Sequence, residues 1–506
     1  MTRVALGLSA VALALAVPVS AQQAEANTRA ALARIAALDP QINAVIAVDP
    51  SALDQARALD RERKARAPLF GTPVLIKDNI ETAGALPTTA GSLALAANVT
   101  DRDAPLITRL RAAGAVILGK TNLSEWANIR GLNAISGWSA VGGQTRNPHA
   151  LDRSPCGSSS GSAAAVAAGM VDAAIGTETD GSVTCPAALT GIVGLKPTVG
   201  LISRTHIVPI SHSQDTPGPL AVDVRMAALL LGAMAGSDPT DPATAAADLR
   251  RTDYAAALDP RALKGQRIGV MRFVGGWSKP VDMLFEQALA VLQAQGAVLV
   301  DVAEPKDRRL IGPAETRVLR TELKADLNAY LATTPASVKT RTLVDLIAFN
   351  TAHAETELGL FEQENFLAAQ ASGGLDDPAY IFARMLAQRL AGPGGIDAML
   401  KAGGVVALVA PTAAPAWFID AVNGDKSAGN GAGGLAAVAG YPHLTVPMGA
   451  VKGLPVGLSF IGPAWSEALL LALGYAYEQA AKAKVTPTFA PSIESMPEVA
   501  KHLAKP

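Results

Sequence analysis

An α/β layered fold with a mixed or parallel sheet is predicted by three observations. Short apolar runs that suit strands alternate with segments of helical spacing between Glu25 and Asn128. Apolar residues make up 49% of the 506 and charged residues 17%, the balance of a globular chain with a large core. No internal repeat recurs along it.

The first segment is not an element of that fold. Met1-Thr2-Arg3 supplies one positive charge, Val4 to Val17 is apolar except for Gly7 and Ser9, and Val19-Ser20-Ala21 offers small residues. This reads as a secretory signal over 1–21 with cleavage after Ala21, too short and wrongly flanked for a stable membrane span. An uncleaved anchor is the alternative. No later stretch reaches transmembrane length without Gly, Pro or charge. The mature chain, 22–506, is therefore expected to be soluble, periplasmic or secreted, and free of the membrane after signal cleavage.

Helical spacing runs over Glu25 to Leu38, and Pro50 to Arg66 reads as a charged amphipathic helix. Pro73 to Asp78 is an apolar run ending in charge, which suits a buried strand delivering Lys77 at its end. Asp103 to Ala113 reads as a helix, Ala115 to Leu118 as a strand, and Asn122 to Asn128 as the start of another helix. Gly, Ser, Asn and Pro then dominate from Trp138 to Ser162, a long irregular segment of the kind that is often functional. Ala163 to Met170 resumes as a small-residue helix. Ala173 to Gly176 is a strand, followed by a second Gly/Ser/Thr turn, Thr177 to Ser182. Gly236 to Asp248 reads as a surface connection. Helices are predicted over Pro280 to Gln295, Ala314 to Leu331, most of Leu343 to Gly392 with a break at Ser372 to Asp377, and Glu467 to Lys484. Val405 to Ala410, Leu444 to Val446 and Val456 to Ile461 are strand candidates.

Charge and cysteine content exclude several functions. A formal net charge of -1 gives no electrostatic reason to expect nucleic acid or an anionic membrane as partner. Cys156 and Cys185 are too few for a disulfide scaffold, and no second pair or His cluster completes a metal site. Buried, apolar-like thiols are the expected state, although export would permit a bridge.

Three local patterns compete for the chemistry. Gly114 to Thr121 satisfies the phosphate-loop expression, but its middle residues, Ala-Val-Ile-Leu, would themselves be the strand that must precede such a loop. Gly157-Ser-Ser159-Ser-Gly161 matches a nucleophile elbow, yet Pro155 prevents a core strand just before it. The six histidines (His149, His206, His212, His353, His443 and His502) lack a sequence context for a triad and read as surface or structural residues. The third pattern is the pair of Ser/Gly turns ending at Ser162 and Ser182, with Lys77 upstream. A serine needs a base, and a lysine neutralised by burial can be one. From spacing alone, two glycine-rich connections with solvent serines remain an equal reading.

The residues nevertheless resemble the amidase-signature hydrolases. Ser154-Pro-Cys-Gly-Ser158-Ser-Ser-Gly-Ser162 followed by Ile175-Gly-Thr-Glu-Thr-Asp-Gly-Ser182-Val-Thr-Cys-Pro186 looks like that family's signature, with the two serines 24 positions apart. Gly71 to Asn79 resembles the segment carrying the family lysine, and Ala112 to Trp126 is also family-typical. Ala439-Gly-Tyr-Pro442, Thr445-Val-Pro447 and Gly453 to Gly457 continue the match, which spans roughly Ala30 to Ala480. Cys156 and Ser160 stand where glycines are common, and Thr184 replaces a frequent arginine. These departures, with Thr179-Asp180-Gly181-Ser182, Ser124 to Asn128, Ile135 to Ser139 and Asp345 to Asn350, look most like the bacterial peptide-amidase branch.

The resemblance implies a single domain with a large mixed sheet between helical layers. It implies that Ser182 is the nucleophile, Ser158 a proton relay behind a cis Gly157–Ser158 peptide, and neutral Lys77 the base. Backbone N–H groups of Thr179, Asp180, Gly181 and Ser182 would hold the oxyanion, with no metal or organic cofactor. The expected substrate is a small-molecule or peptide amide, notably a C-terminally amidated peptide losing ammonia, with no obligate protein partner. A variable, mostly helical region over about 250–393 would cover the cleft. The alternatives are an acylamidase for aryl or lactam-derived amides, and an exported binding protein with an amidase core but no turnover.

Overall fold

Among the described residues, eleven strands hydrogen-bond into one mixed sheet. In chain order they are β1 (Val45–Val48), β2 (Pro73–Lys77), β3 (Val116–Thr121), β4 (Ala173–Glu178), β5 (Val193–Lys196) and β6 (Thr216–Ala221). Then follow β7 (Arg267–Val270), β8 (Val298–Asp301), β9 (Ala407–Pro411), β10 (His443–Val451) and β11 (Leu454–Ile461). Across the sheet the order is β1-β3-β2-β4-β6-β5-β10-β11-β9-β7-β8. The pairs β2–β3, β2–β4, β7–β9 and β7–β8 are parallel and the others antiparallel. The computed structural model describes residues 23–62, 67–427, 429 and 431–503. The expected signal segment lies outside the described residues.

The side-chain period of two along each strand divides the apolar residues between two helical layers. Val74, Ile76, Ile117, Ile175, Leu444 and Phe460 pack on one face, against the helices Pro105–Ala112, Val224–Met234, Lys279–Ala294 and Glu467–Ala481. Leu75, Val116, Leu118, Ala174 and Leu220 point the other way, into a second core with the helices Gln23–Ile42 and Ser160–Ala167. On that second face, the far half of the sheet is covered by Ile311–Ala332 and Pro378–Ala391, which meet Leu408, Ala410 and Ile461. Strands buried on both faces read as continuous apolar runs, which is why Val74-Leu75-Ile76 carries no polar alternation. No described helix is long and apolar enough to cross a membrane.

Several expectations shift in detail. Asn122 to Asn128 does not begin an α-helix; a short 3-10 turn spans Glu125–Asn128, and Trp126 and Ala127 hold φ of 50° and 52°, outside the right-handed region. The irregular stretch after Trp138 contains a two-stranded ribbon, Trp138–Ser139 with Gly143–Gln144, and its last residues from Ser160 are already helical. The region 250–393, expected to be mostly helical, also adds two strands, β7 and β8, to the sheet edge.

Candidate active site

The parallel strands β2 and β4 end side by side, and their ends deliver the first parts of the site. Lys77 is the last residue of β2 and is fully buried. Its Nζ lies 2.7 Å from Ser158 Oγ, 2.8 Å from Thr177 Oγ1 and 3.2 Å from the Thr177 carbonyl. Asn79 Nδ2 donates to the same Thr177 hydroxyl at 3.0 Å. Burial pushes the Lys77 pKa down to about 7, against the pull of the Asp215 and Glu178 charges. A lysine whose contacts are hydroxyls and a carbonyl gains little that would offset the desolvation of its ammonium form, so near neutral pH a large share is free amine.

The Gly157–Ser158 peptide is cis. An added Cβ at Gly157 would lie 2.1 Å from Ser124 Oγ, so a side chain there would displace Ser124. Ser124 N–H donates to Ser158 O at 3.0 Å, and Ser159 N–H donates to Ser182 O at 3.1 Å, so the two serine turns are laid against each other. Gly161 can pack against the backbone at Asn122 and Ala44 only because it lacks a Cβ; an added one would lie 2.3 Å from the Ala44 carbonyl.

Ser182 follows β4 in a turn where Gly181 takes φ of 80°. Glu178 Oε2 accepts from the N–H groups of Val183 and Thr184 at 2.8 and 2.9 Å, and so caps the helix Thr184–Thr190 just beyond the nucleophile candidate. The N–H groups of Gly181 and Ser182 have no acceptor among the described residues. Such donors next to a reactive hydroxyl can hold a developing oxyanion. Ser182 retains 8% of its surface, whereas Ser158 and Lys77 retain none, so a substrate can reach only the first of the three.

Asp180, Gly181, Thr184 and Cys185 line a cleft of about 650 Å³. Its remaining lining comes from Val274 and two later segments, Glu304 to Glu315 and Thr412 to Leu435. Asp180 is exposed and lines the cleft. Desolvation first, then the Glu315 and Glu178 charges, raise its pKa well above the carboxylate range. A separate cavity of about 340 Å³ has Asn79, Thr177, Thr179 and Asp215 in its lining. There Asp215 accepts from Thr179 Oγ1 at 2.6 Å, and burial raises its pKa to about 6.

Lys77, Ser158, Thr179, Asp180, Gly181 and Ser182 thus gather around one set of strand ends. The competing motifs do not. Ser159 Oγ donates to Thr177 O at 3.1 Å and accepts from Thr177 N–H at 3.2 Å, which ties it to the end of β4. Most of the apparent phosphate loop is β3 itself, and Lys120 Nζ is spent on Ile80 O at 2.5 Å and Thr88 Oγ1 at 2.8 Å. Among the buried histidines, His443 meets Ser459 Oγ at 2.6 Å and His149 meets Thr190 O at 3.0 Å; burial lowers their pKa values to about 3 and about 4. His212, Glu322 and Asp326 could together offer three metal-ligand atoms within 4.8 Å. Both Glu322 oxygens, however, already accept from hydroxyls of Ser211, Ser213 and Tyr380, and His212 Nδ1 faces Asp326 at 2.9 Å.

Sequence reasoning missed Glu178, Thr177 and Asp215, whose roles depend on the alignment of β4 with its neighbours. The expectation of apolar-like thiols is also corrected: Cys156 and Cys185 form a disulfide. The two serine turns that carry them lie against each other, bringing their Cα atoms to 6.0 Å.

A family model described as Amidase matches residues 26–471. A probable amidase of Arabidopsis thaliana is 38% identical over 471 residues, covering 90% of this chain and 87% of that protein. The crystal structure of native peptide amidase from Stenotrophomonas maltophilia superposes with a TM-score of 0.86 at 54% identity, covering 92% of this chain and 95% of that one. A peptide amidase in complex with the competitive inhibitor chymostatin superposes with a TM-score of 0.88, also at 54% identity, covering 92% and 96% of the two chains.

Proposed function

The chain belongs to the amidase family, and from that premise we propose that it is an exported serine amidohydrolase that removes ammonia from C-terminally amidated peptides through an acyl-enzyme. The observation that carries the mechanism is the 2.7 Å contact between the buried Lys77 amine and Ser158 Oγ, with Ser182 on the adjoining turn and 8% exposed.

Ser182 Oγ attacks the amide carbon as its proton passes to Ser158 Oγ and the Ser158 proton passes to Lys77 Nζ. The carbonyl oxygen becomes an oxyanion held by the N–H groups of the Thr179–Ser182 turn, an effect worth roughly 3–4 kcal/mol per key donor in other hydrolases. The proton returns along the same path to the amide nitrogen, the C–N bond breaks, and an ester to Ser182 remains. Water then attacks the ester while the relay runs again, releasing the acid and restoring the serine.

The likeness to peptide amidases supports the substrate class, as does a cleft of about 650 Å³, room for a short peptide end. The apolar run before Ala21 supports export. So does the Cys156–Cys185 bridge, because disulfides persist in oxidising compartments. The test is incubation of the mature protein with a dipeptide amide and a panel of anilides, scoring ammonia and amine. Ammonia release from the dipeptide amide is expected. Turnover of anilides alone would transfer the assignment to an acylamidase, and no turnover of any amide would leave a binding protein.

A further inference from the structure

The disulfide joins the two turns on which the proposed chemistry depends. Cys156 lies two residues before Ser158, and Cys185 three residues after Ser182. Each cysteine is fastened to its own turn. Cys156 N–H donates to Ser154 Oγ at 3.1 Å, and the Cys156 carbonyl accepts from Ser160 Oγ at 2.6 Å. Cys185 N–H donates to Gly181 O at 2.8 Å, one residue before Ser182. The Ser159 N–H bond to Ser182 O links the turns without a covalent bond, and the S–S bond is a covalent brace beside it. Cys156 also holds φ of 60°, a left-handed conformation that side-chain-bearing residues adopt at a cost, so a freed thiol there has reason to relax.

We propose that the Cys156–Cys185 disulfide is a positioning element for amide hydrolysis, holding Ser158 and Ser182 in the alignment that the proton relay needs. The inference rests on the serine roles proposed above. Proton transfer between two hydroxyls tolerates little misplacement, and an error of about 1 Å in a catalytic arrangement can cost on the order of 100-fold in rate. Cys185 lines the cleft and is half-buried, so a small dithiol can approach the bridge from there. The dithiol's thiolate attacks a bridge sulfur, forming a mixed disulfide and releasing one cysteine. Its second thiol then displaces the other. One S–S bond breaks in the protein and one forms in the reductant, two electrons pass, and Cys156 and Cys185 are left as thiols.

The experiment compares three preparations of the mature protein on a dipeptide amide, well below the unfolding temperature: oxidised, reduced by a dithiol with both thiols titrated, and C156S/C185S. Far-UV circular dichroism is recorded on each. A fall in kcat on the order of 100-fold is expected in the second and third, with KM within about twofold and the fold retained. Reoxidation should restore kcat to the reduced protein and not to the variant. Three outcomes overturn the proposal. These are kcat within about twofold of the oxidised value, an effect confined to KM, and activity lost only in step with the dichroism signal, which would make the bridge a stabiliser and nothing more. No ammonia from the oxidised protein would instead defeat the proposed function.

Discussion

Lys77 is buried without a charged partner in contact: its neighbours are the Ser158 hydroxyl and two oxygens of Thr177. Lys120, equally buried on the adjacent strand, shows the contrast, because its ammonium lies 3.7 Å from Asp78 and donates to Ile80 O and Thr88 Oγ1. The protonated form of Lys77 cannot accept the relay proton, so kcat/KM should rise with pH through a limb near 7, the value to which burial lowers this lysine. Asp215 favours the ammonium form, so Asp215→Asn should move that limb to lower pH; a limb that stays or rises in a pH-rate profile would remove Lys77 as the base. Lys77→Ala and Ser182→Ala should each abolish ammonia release while leaving the circular dichroism spectrum intact. Full activity in either would break the triad.

Between residue and fold lies the strand end that turns into a helix. Glu178 closes β4 and caps the helix behind Ser182, so Glu178→Ala should remove about 0.5–2 kcal/mol of stability, measurable by denaturant unfolding. It should also cost more in kcat than in KM, since the turn that presents Ser182 loses its anchor. Leu75 packs in the core opposite to Val74 and Ile76, and Leu75→Ala should cost about 2–5 kcal/mol in the same measurement. The sequence made β2 legible because a charge-tipped apolar run with no alternation, too short for a helix, suits a strand buried on both faces. It concealed β6, Thr216–Ala221, because Pro217 and Pro219 argue against a central strand. The structure resolves this conflict: β5 pairs only with Leu220 and Ala221, which leaves the proline half of β6 with β4 as its one partner. Lys77, Ser158 and Ser182 were legible through their motifs. Glu178 and Asp215 were not, since a carboxylate's partners are set by strand register and no local pattern encodes them.

At the scale of the molecule, one buried arginine, itself in an ion pair, ties the signature half of the chain to the later helical region. Arg130 lies 3.1 Å from Glu125, donates to the Glu357 carbonyl and stacks 4.1 Å over Phe361. Arg130→Ala would strand Glu125 without its cation, and a loss of about 3–5 kcal/mol is expected from denaturant unfolding. Replacing both charges, as E125Q/R130M, should recover part of it; no recovery would mean that packing on Phe361 matters more than the charge. Cleavage after Ala21 would leave intact the helix Gln23–Ile42, whose Ala24, Ala31 and Ile35 belong to the core, and an intact-mass measurement on the exported protein should locate that end. The cleft itself joins separate stretches of chain: the proposed chemistry comes from residues 77–182, whereas much of the lining comes from Glu304 to Glu315 and Thr412 to Leu435. If the cleft receives the substrate, as proposed, recognition and reaction are thereby encoded largely apart. Evolution, or a protein engineer, can exchange the later segments and retarget the enzyme while its reactive machinery is inherited unchanged.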